Sequence, residues 1–139
     1  MTLRIIQETD PDSATISTIE EGLISYNAAK AGASNWQRLW LIARDDKGIV
    51  QAGLKGITIY NWLFVEWLWV AESFRGEDYG SKLLMQAEEI ARERGCTNAY
   101  LDTFSFQAPD FYAKHGYKEF GRLDGLPIDH SRIWLKKSL

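Results

Sequence analysis

The stretch Arg75-Gly76-Glu77-Asp78-Tyr79-Gly80-Ser81 brings together a guanidinium, two glycines and a hydroxyl. It follows the apolar run Leu63–Val70 and leads into a helical pattern. A strand, a glycine-bearing loop and a helix in succession offer phosphate chemistry. The first helical N–H groups have no partner within the helix, and the helix dipole adds positive potential there. Gly76 and Gly80 would let an anion approach the backbone, and Arg75 would add a charged contact to a phosphate oxygen. The same residues would also suit a plain strand-to-helix turn.

Glu66 is the one charge in the run Leu63–Val70. A buried carboxylate is costly unless paired, and burial raises its pKa. A general base working near neutral pH needs such a rise. The competing use of Glu66 is an ion pair with a neighbouring Lys or Arg. Period-two alternation places Glu66 and Val70 on one face, with Trp67 and Trp69 on the other. His130 is the second candidate base. His115, beside Gly116 at a helix end, is expected to meet the helix dipole. Cys96 follows a helix C-terminus, where nothing lowers its pKa, and is expected to be inert. No group of His, Cys and Asp has metal-ligand spacing, so no metal is expected.

The elements that must hold these residues follow from periodicity and turn chemistry. Leu3–Glu8 is expected to be a short strand. Asp10-Pro11 is a helix start, a capping residue followed by proline at the first helical position. Ile16, Ile19, Leu23 and Tyr26 continue that helix at helical spacing. Trp36–Arg44 and Ile49–Tyr60 are expected strands around the hairpin signal Asp45-Asp46-Lys47-Gly48. Leu63–Val70 is apolar enough for a central strand covered on both faces. Leu83, Leu84, Ala87, Ile90 and Ala91 form the apolar stripe of a helix that Gly95 ends. Asn98–Thr103 is a strand, Gln107–Lys114 a short helix, and Tyr117–Arg122 and Ser131–Lys136 the last strands. A helical crossover makes the strands around the loop parallel. The result is a single α/β domain over residues 1–139 with a mixed sheet.

Leu68 to Leu84 resembles motif A of the GNAT superfamily of N-acetyltransferases, Arg/Gln-x-x-Gly-x-Gly/Ala after a central strand. Ala108-Pro109-Asp110-Phe111-Tyr112-Ala113-Lys114-His115-Gly116-Tyr117 is similar to a second segment of that family, Ala-x-x-Leu/Phe-Tyr-x-x-x-Gly-Phe/Tyr. The resemblance implies a GNAT-like sheet whose central parallel strands splay and are flanked by helices. It also implies acetyl-CoA as acyl donor and direct acetyl transfer to a primary amine. By the same resemblance the donor is held by Arg75, Gly76, Glu77, Asp78, Tyr79, Gly80 and Ser81. The backbone amides of Leu68, Trp69 and Val70 join them, with Ser105 or neighbouring Gln107 reaching the pantetheine. Tyr112 matches the general acid, and Glu66 the catalytic base of some members. Asp78 departs from the motif, which has glycine there. Its carboxylate would repel a phosphate by roughly 1–4 kcal/mol at 4 Å. It is therefore expected to point away, capping the helix or meeting Lys82.

Composition narrows the classes. The chain is 45% hydrophobic and 25% charged, ordinary for a globular domain. Net charge is −3 and no Lys/Arg stripe appears, so nucleic acid is not an expected partner. The longest uncharged run, Gly56–Val65, is too short to span a bilayer. The single cysteine and the lack of a secretory hydrophobic region point to the cytoplasm. Gly80-Ser81 has no intervening lysine, unlike a P-loop. Trp36, Trp40, Trp62, Phe64, Trp67 and Trp69 crowd the strands before the loop. Most belong in a core; others would line an acceptor site or a homodimer surface. The acceptor, a small molecule or a peptide amine, is not encoded legibly. A non-catalytic acyl-CoA-binding domain is the alternative on the same fold.

Overall fold

The computed structural model describes residues 1–139 as two compact units, Met1–Ser34 and Asn35–Leu139. The first unit holds one helix, α1 (Ser13–Ala31). It begins two residues beyond the Pro11 start. Asp12 is the cap: its carboxylate accepts from the Thr15 N–H at 2.8 Å, taking up one of the orphan donors of the first turn. Gly32, at φ 79°, closes the helix. Leu3–Glu8 forms no strand, contrary to expectation. A strand must satisfy its backbone against a neighbouring edge, and this segment is absent from the sheet.

The second unit contains β1 (Gln37–Arg44), β2 (Val50–Ile59), β3 (Trp62–Val70), α2 (Tyr79–Glu93), β4 (Asn98–Phe104), α3 (Pro109–Lys114), β5 (Lys118–Asp124) and β6 (Ser131–Ser138). All lie within two residues of the boundaries that the pattern predicts. The strands form one mixed sheet in the order β1-β2-β3-β4-β6-β5, in which only β3 and β4 are parallel. At the first hairpin the Asp45 carboxylate accepts from the amides of Lys47 and Ile49, and Gly48 takes φ 80°. Local side-chain bonding of this kind is why Asp favours turns.

One face of α2 buries Leu83, Leu84, Ala87 and Ala91 against a core that includes Leu54, Leu63, Val65, Ala99 and Leu101. Glu88 shares that face and is 2% exposed. Its carboxylate accepts from the Tyr117 hydroxyl at 2.7 Å and from Lys137 Nζ at 2.8 Å. Burial, reinforced by Glu88, pushes the Tyr117 phenol strongly upward. A buried charge needs such partners, and here they tie α2 to β6 and to the end of α3.

Two irregularities set up the site. In the β2–β3 ladder Lys55 pairs with Trp67 and Gly56 with Val65, which leaves Glu66 as the extra residue of a bulge. Gly56 is required there, because a Cβ would stand 2.9 Å from the Phe64 carbonyl oxygen. Before the bulge Leu63 and Val65 are buried; after it Leu68 and Val70 pack on the core while Trp67 and Trp69 are exposed. The second irregularity lies on the other edge of β3. Only Trp62–Val65 pairs with β4, against Asn98–Leu101. Beyond those pairs β3 runs on to Val70 and β4 to Phe104 with no ladder between them. This is the expected splay.

Candidate active site

The splay leaves backbone groups of β3 without a strand partner, and antiparallel alternation decides which ones. The Ala71 N–H donates to the Gln51 carbonyl at 2.7 Å, so residue 71 points toward β2. Residues two apart point the same way. Trp69, in register with Gly53, therefore spends its backbone groups on β2. Leu68 and Val70 turn theirs toward the gap. The Val70 carbonyl agrees with this, since it accepts from Arg75 Nε at 3.0 Å. Of the three candidate amides, Leu68 and Val70 are available and Trp69 is not.

The loop after β3 passes through a 3₁₀ turn, Glu72–Phe74, to α2. No protein acceptor takes up the N–H groups of Gly76, Glu77, Asp78, Tyr79, Gly80 or Ser81; the first helical bond runs from Lys82 to the Asp78 carbonyl. Gly76 has φ +82° with open space where a Cβ would be, as close backbone approach demands. Gly80 serves a different purpose: a Cβ there would meet the Phe111 ring at 3.3 Å, so it lets α3 pack against the head of α2. Arg75 is anchored through Nε and keeps its terminal nitrogens for another acceptor.

Asp78 adopts left-handed backbone at φ 66°, a conformation Asp tolerates better than most residues. Its side chain neither caps α2 nor pairs with Lys82, contrary to expectation. The Lys82 ammonium lies instead over the Tyr79 ring, 5.2 Å from the centroid. The Ser81 hydroxyl is 2.8 Å from His115 Nε2. His115 thus links the end of α3 to the first turn of α2, a contact that the helix-dipole expectation did not foresee.

Glu66 forms the ion pair that was its competing use: Lys55 Nζ lies 2.7 Å from Oε2. Oε1 is outside that contact. Lys55 also sits 4.5 Å from the Trp67 ring centroid, so Glu66 and Trp67 act on one side of the sheet. The expectation of opposite faces fails because the bulge interrupts the period of two. Lys55 was not singled out from sequence; its register with Trp67 across the sheet was the missing information.

Tyr112 lies on α3 and is 9% exposed. Burial, with the Asp102 carboxylate second, pushes its phenol up to about 12. The hydroxyl has no hydrogen-bond partner in the protein, yet it is not a sealed polar atom, so its oxygen meets accessible space. Ser105 closes the end of β4: its hydroxyl oxygen accepts from the Ser131 N–H at 2.9 Å, leaving the hydroxyl proton to donate. Gln107 is committed locally, its Oε1 accepting from the Phe104 N–H and the Thr103 hydroxyl. His130 meets Phe106 edge-on at 4.9 Å, and no contact joins it to Glu66 or Tyr112. Burial pushes the Cys96 thiol up, in keeping with an inert cysteine.

A splayed parallel pair beside a glycine-turned helix start defines an acyltransferase-type fold, and comparisons with known proteins agree. The family model described as acetyltransferase (GNAT) domain matches residues 35–119. The acetyltransferase Atu2258 of Agrobacterium fabrum is 39% identical over 126 residues, covering 91% of this chain and 92% of that protein. Blasticidin-S acetyltransferase of Streptomyces morookaense is 42% identical over 95 residues, 68% of this chain and 70% of its own. The crystal structure of an acetyltransferase from Bacillus cereus superposes with a TM-score of 0.84 at 34% identity, covering 96% of this chain and 98% of that one. The chain belongs to the GNAT acetyltransferase family. It is an acetyltransferase, and enzymes of this family use acetyl-CoA.

Proposed function

We propose that residues 1–139 act as one N-acetyltransferase domain that moves an acetyl group from acetyl-CoA directly to a primary amine. The observation that carries this reading is the row of unused amides from Gly76 to Ser81 at the head of α2, beside the gap between β3 and β4. Unpaired N–H groups at a helix start suit a pyrophosphate. Arg75 would add its terminal nitrogens, while Gly76 keeps the approach open. Tyr79 and Glu77 belong to the loop through their backbones. Asp78 contributes its N–H from the left-handed turn.

Acetyl-CoA supplies an activated thioester. The N–H groups of Leu68 and Val70 face the gap where a carbonyl oxygen could be polarised. Glu66 would accept the amine's proton through its carboxylate. Tyr112, its phenol pushed up to about 12, keeps its proton at neutral pH and would donate from Oη to the departing sulfur. The Ser105 hydroxyl would donate toward the pantetheine. A small polar amine is the first acceptor to try, because the blasticidin-S acetyltransferase is a 42% identical relative over two thirds of the chain. A peptide amine is the second. The lone buried cysteine agrees with a cytoplasmic setting, and no helix is long and apolar enough to cross a membrane. A homodimer is part of the reading, and light scattering at micromolar concentration tests it.

The decisive experiment follows free CoA release from acetyl-CoA across a panel of amines, with calorimetry of CoA binding alongside. Saturable release with at least one amine is expected. Tight CoA binding with no turnover on any amine would instead make the chain a binding module.

A further inference from the structure

On the face of the sheet away from α2, one cation stands in an aromatic corner. Trp40, Lys55 and Trp67 lie in a row across β1, β2 and β3, paired by register. Lys55 Nζ is 4.5 Å from the Trp67 centroid and 5.7 Å from that of Trp40. The two rings meet edge to face at 6.0 Å. The same nitrogen is 2.7 Å from Glu66 Oε2. Both indoles are exposed, Trp40 at 52% and Trp67 at 61%. A carboxylate with two electron-rich rings is the chemistry that recognises an ammonium ion. The bulge is what brings Glu66, the residue proposed to take the acceptor's proton, to this side.

We propose that Lys55 holds the place of the acceptor's ammonium, and that the acceptor binds as a cation in the corner made by Trp40, Trp67 and Glu66. This rests on the acetyl-transfer reading above. Lysine suits a placeholder: it carries a compact charge on a flexible stem. Its pair with Glu66 is partly exposed, and such pairs are weak enough to exchange one ammonium for another at little cost. The acceptor class is therefore an aliphatic primary amine that is charged at neutral pH. An aromatic amine, neutral at that pH, would lack the charge the corner is built for.

The test is Lys55→Met, which keeps the stem and removes the competing charge. The KM for an aliphatic amine such as n-butylamine should fall roughly two- to fivefold, the value of one partly exposed ion pair. An unchanged or higher KM overturns the proposal. Tryptophan fluorescence gives a readout that needs no turnover. Titration with n-butylammonium chloride, against sodium chloride at equal ionic strength, should quench the wild type. The midpoint should fall in Lys55→Met and the response should vanish in Trp67→Leu. A wild type that does not respond, or equal midpoints in wild type and Lys55→Met, also overturns it. If no amine is turned over, the acetyl-transfer reading fails, and the fluorescence titration still decides whether the corner binds ammonium.

Discussion

The two halves of β3 are built from similar apolar residues and do different things. Trp62–Val65 is paired on both edges, with β2 and with β4. Its core-facing residues Leu63 and Val65 are 0% and 3% exposed. Leu68–Val70 is paired only with β2, and alternation leaves the backbone groups of Leu68 and Val70 facing a gap. Glu66 and its bulge lie between the halves. A strand paired on both edges is a structural member; the same strand with one open edge becomes a source of directed N–H groups. The difference comes from β4 diverging after Leu101, not from any change in the composition of β3.

That contrast can be broken or sharpened by substitution. The largest effect is expected at the open end. Tyr112→Phe should lower kcat roughly 100-fold or more, the scale of a lost general acid, with CoA affinity within about twofold by calorimetry. An unaltered kcat would leave Tyr112 as packing only. Because its phenol is held at about 12, it stays protonated through neutral and mildly alkaline pH. Its own titration should therefore not be visible in a pH–rate profile below about pH 10, the ordinary phenol value.

Next is the closed half. Leu63→Ala should cost about 2–5 kcal/mol of stability in urea unfolding, while Val70→Ala in the open half should cost less. Equal losses would mean that the open half is as firmly supported as the closed one. Arg75→Met should weaken CoA binding by about 1.5–3 kcal/mol, the range for a hydrogen bond to a charged group, and should make that affinity less dependent on salt. Affinity that survives intact would show that the backbone amides suffice.

The smallest effect is expected at Asp78. Glycine there relieves about 1 kcal/mol of left-handed strain and removes a carboxylate from the loop proposed to hold the pyrophosphate. Asp78→Gly should leave CoA affinity unchanged or tighter. A large loss would mean that the Asp78 side chain has a role that neither a cap nor a Lys82 contact describes.

Much of the fold was legible because it rests on local signals. The α2 stripe, the Asp45–Gly48 turn and the order of elements in the second unit follow from periodicity and turn chemistry. The exceptions have definite causes. Leu3–Glu8 has strand-like residues but takes no part in the sheet. Glu88 breaks an apolar stripe and is buried all the same, because Tyr117 and Lys137 arrive from distant parts of the chain. The loop Arg75–Ser81 with its two glycines was legible as the turn into α2, but Gly80 proved to be a packing glycine against Phe111. Tyr112 was found through the second motif; its lack of an internal hydrogen-bond partner emerged only from its surroundings.

The sequence by itself determined the loop with its helix start, the strand–helix–strand unit around it and the family, since each depends on neighbouring residues in the chain. The tertiary structure decided which side of the sheet Glu66 serves, that Lys55 is its partner, and that Leu68 and Val70 rather than Trp69 face the gap. Those facts depend on cross-strand register, on one bulge and on where β4 leaves β3. Register is a relation between segments far apart in the chain, and no local pattern within β3 encodes it.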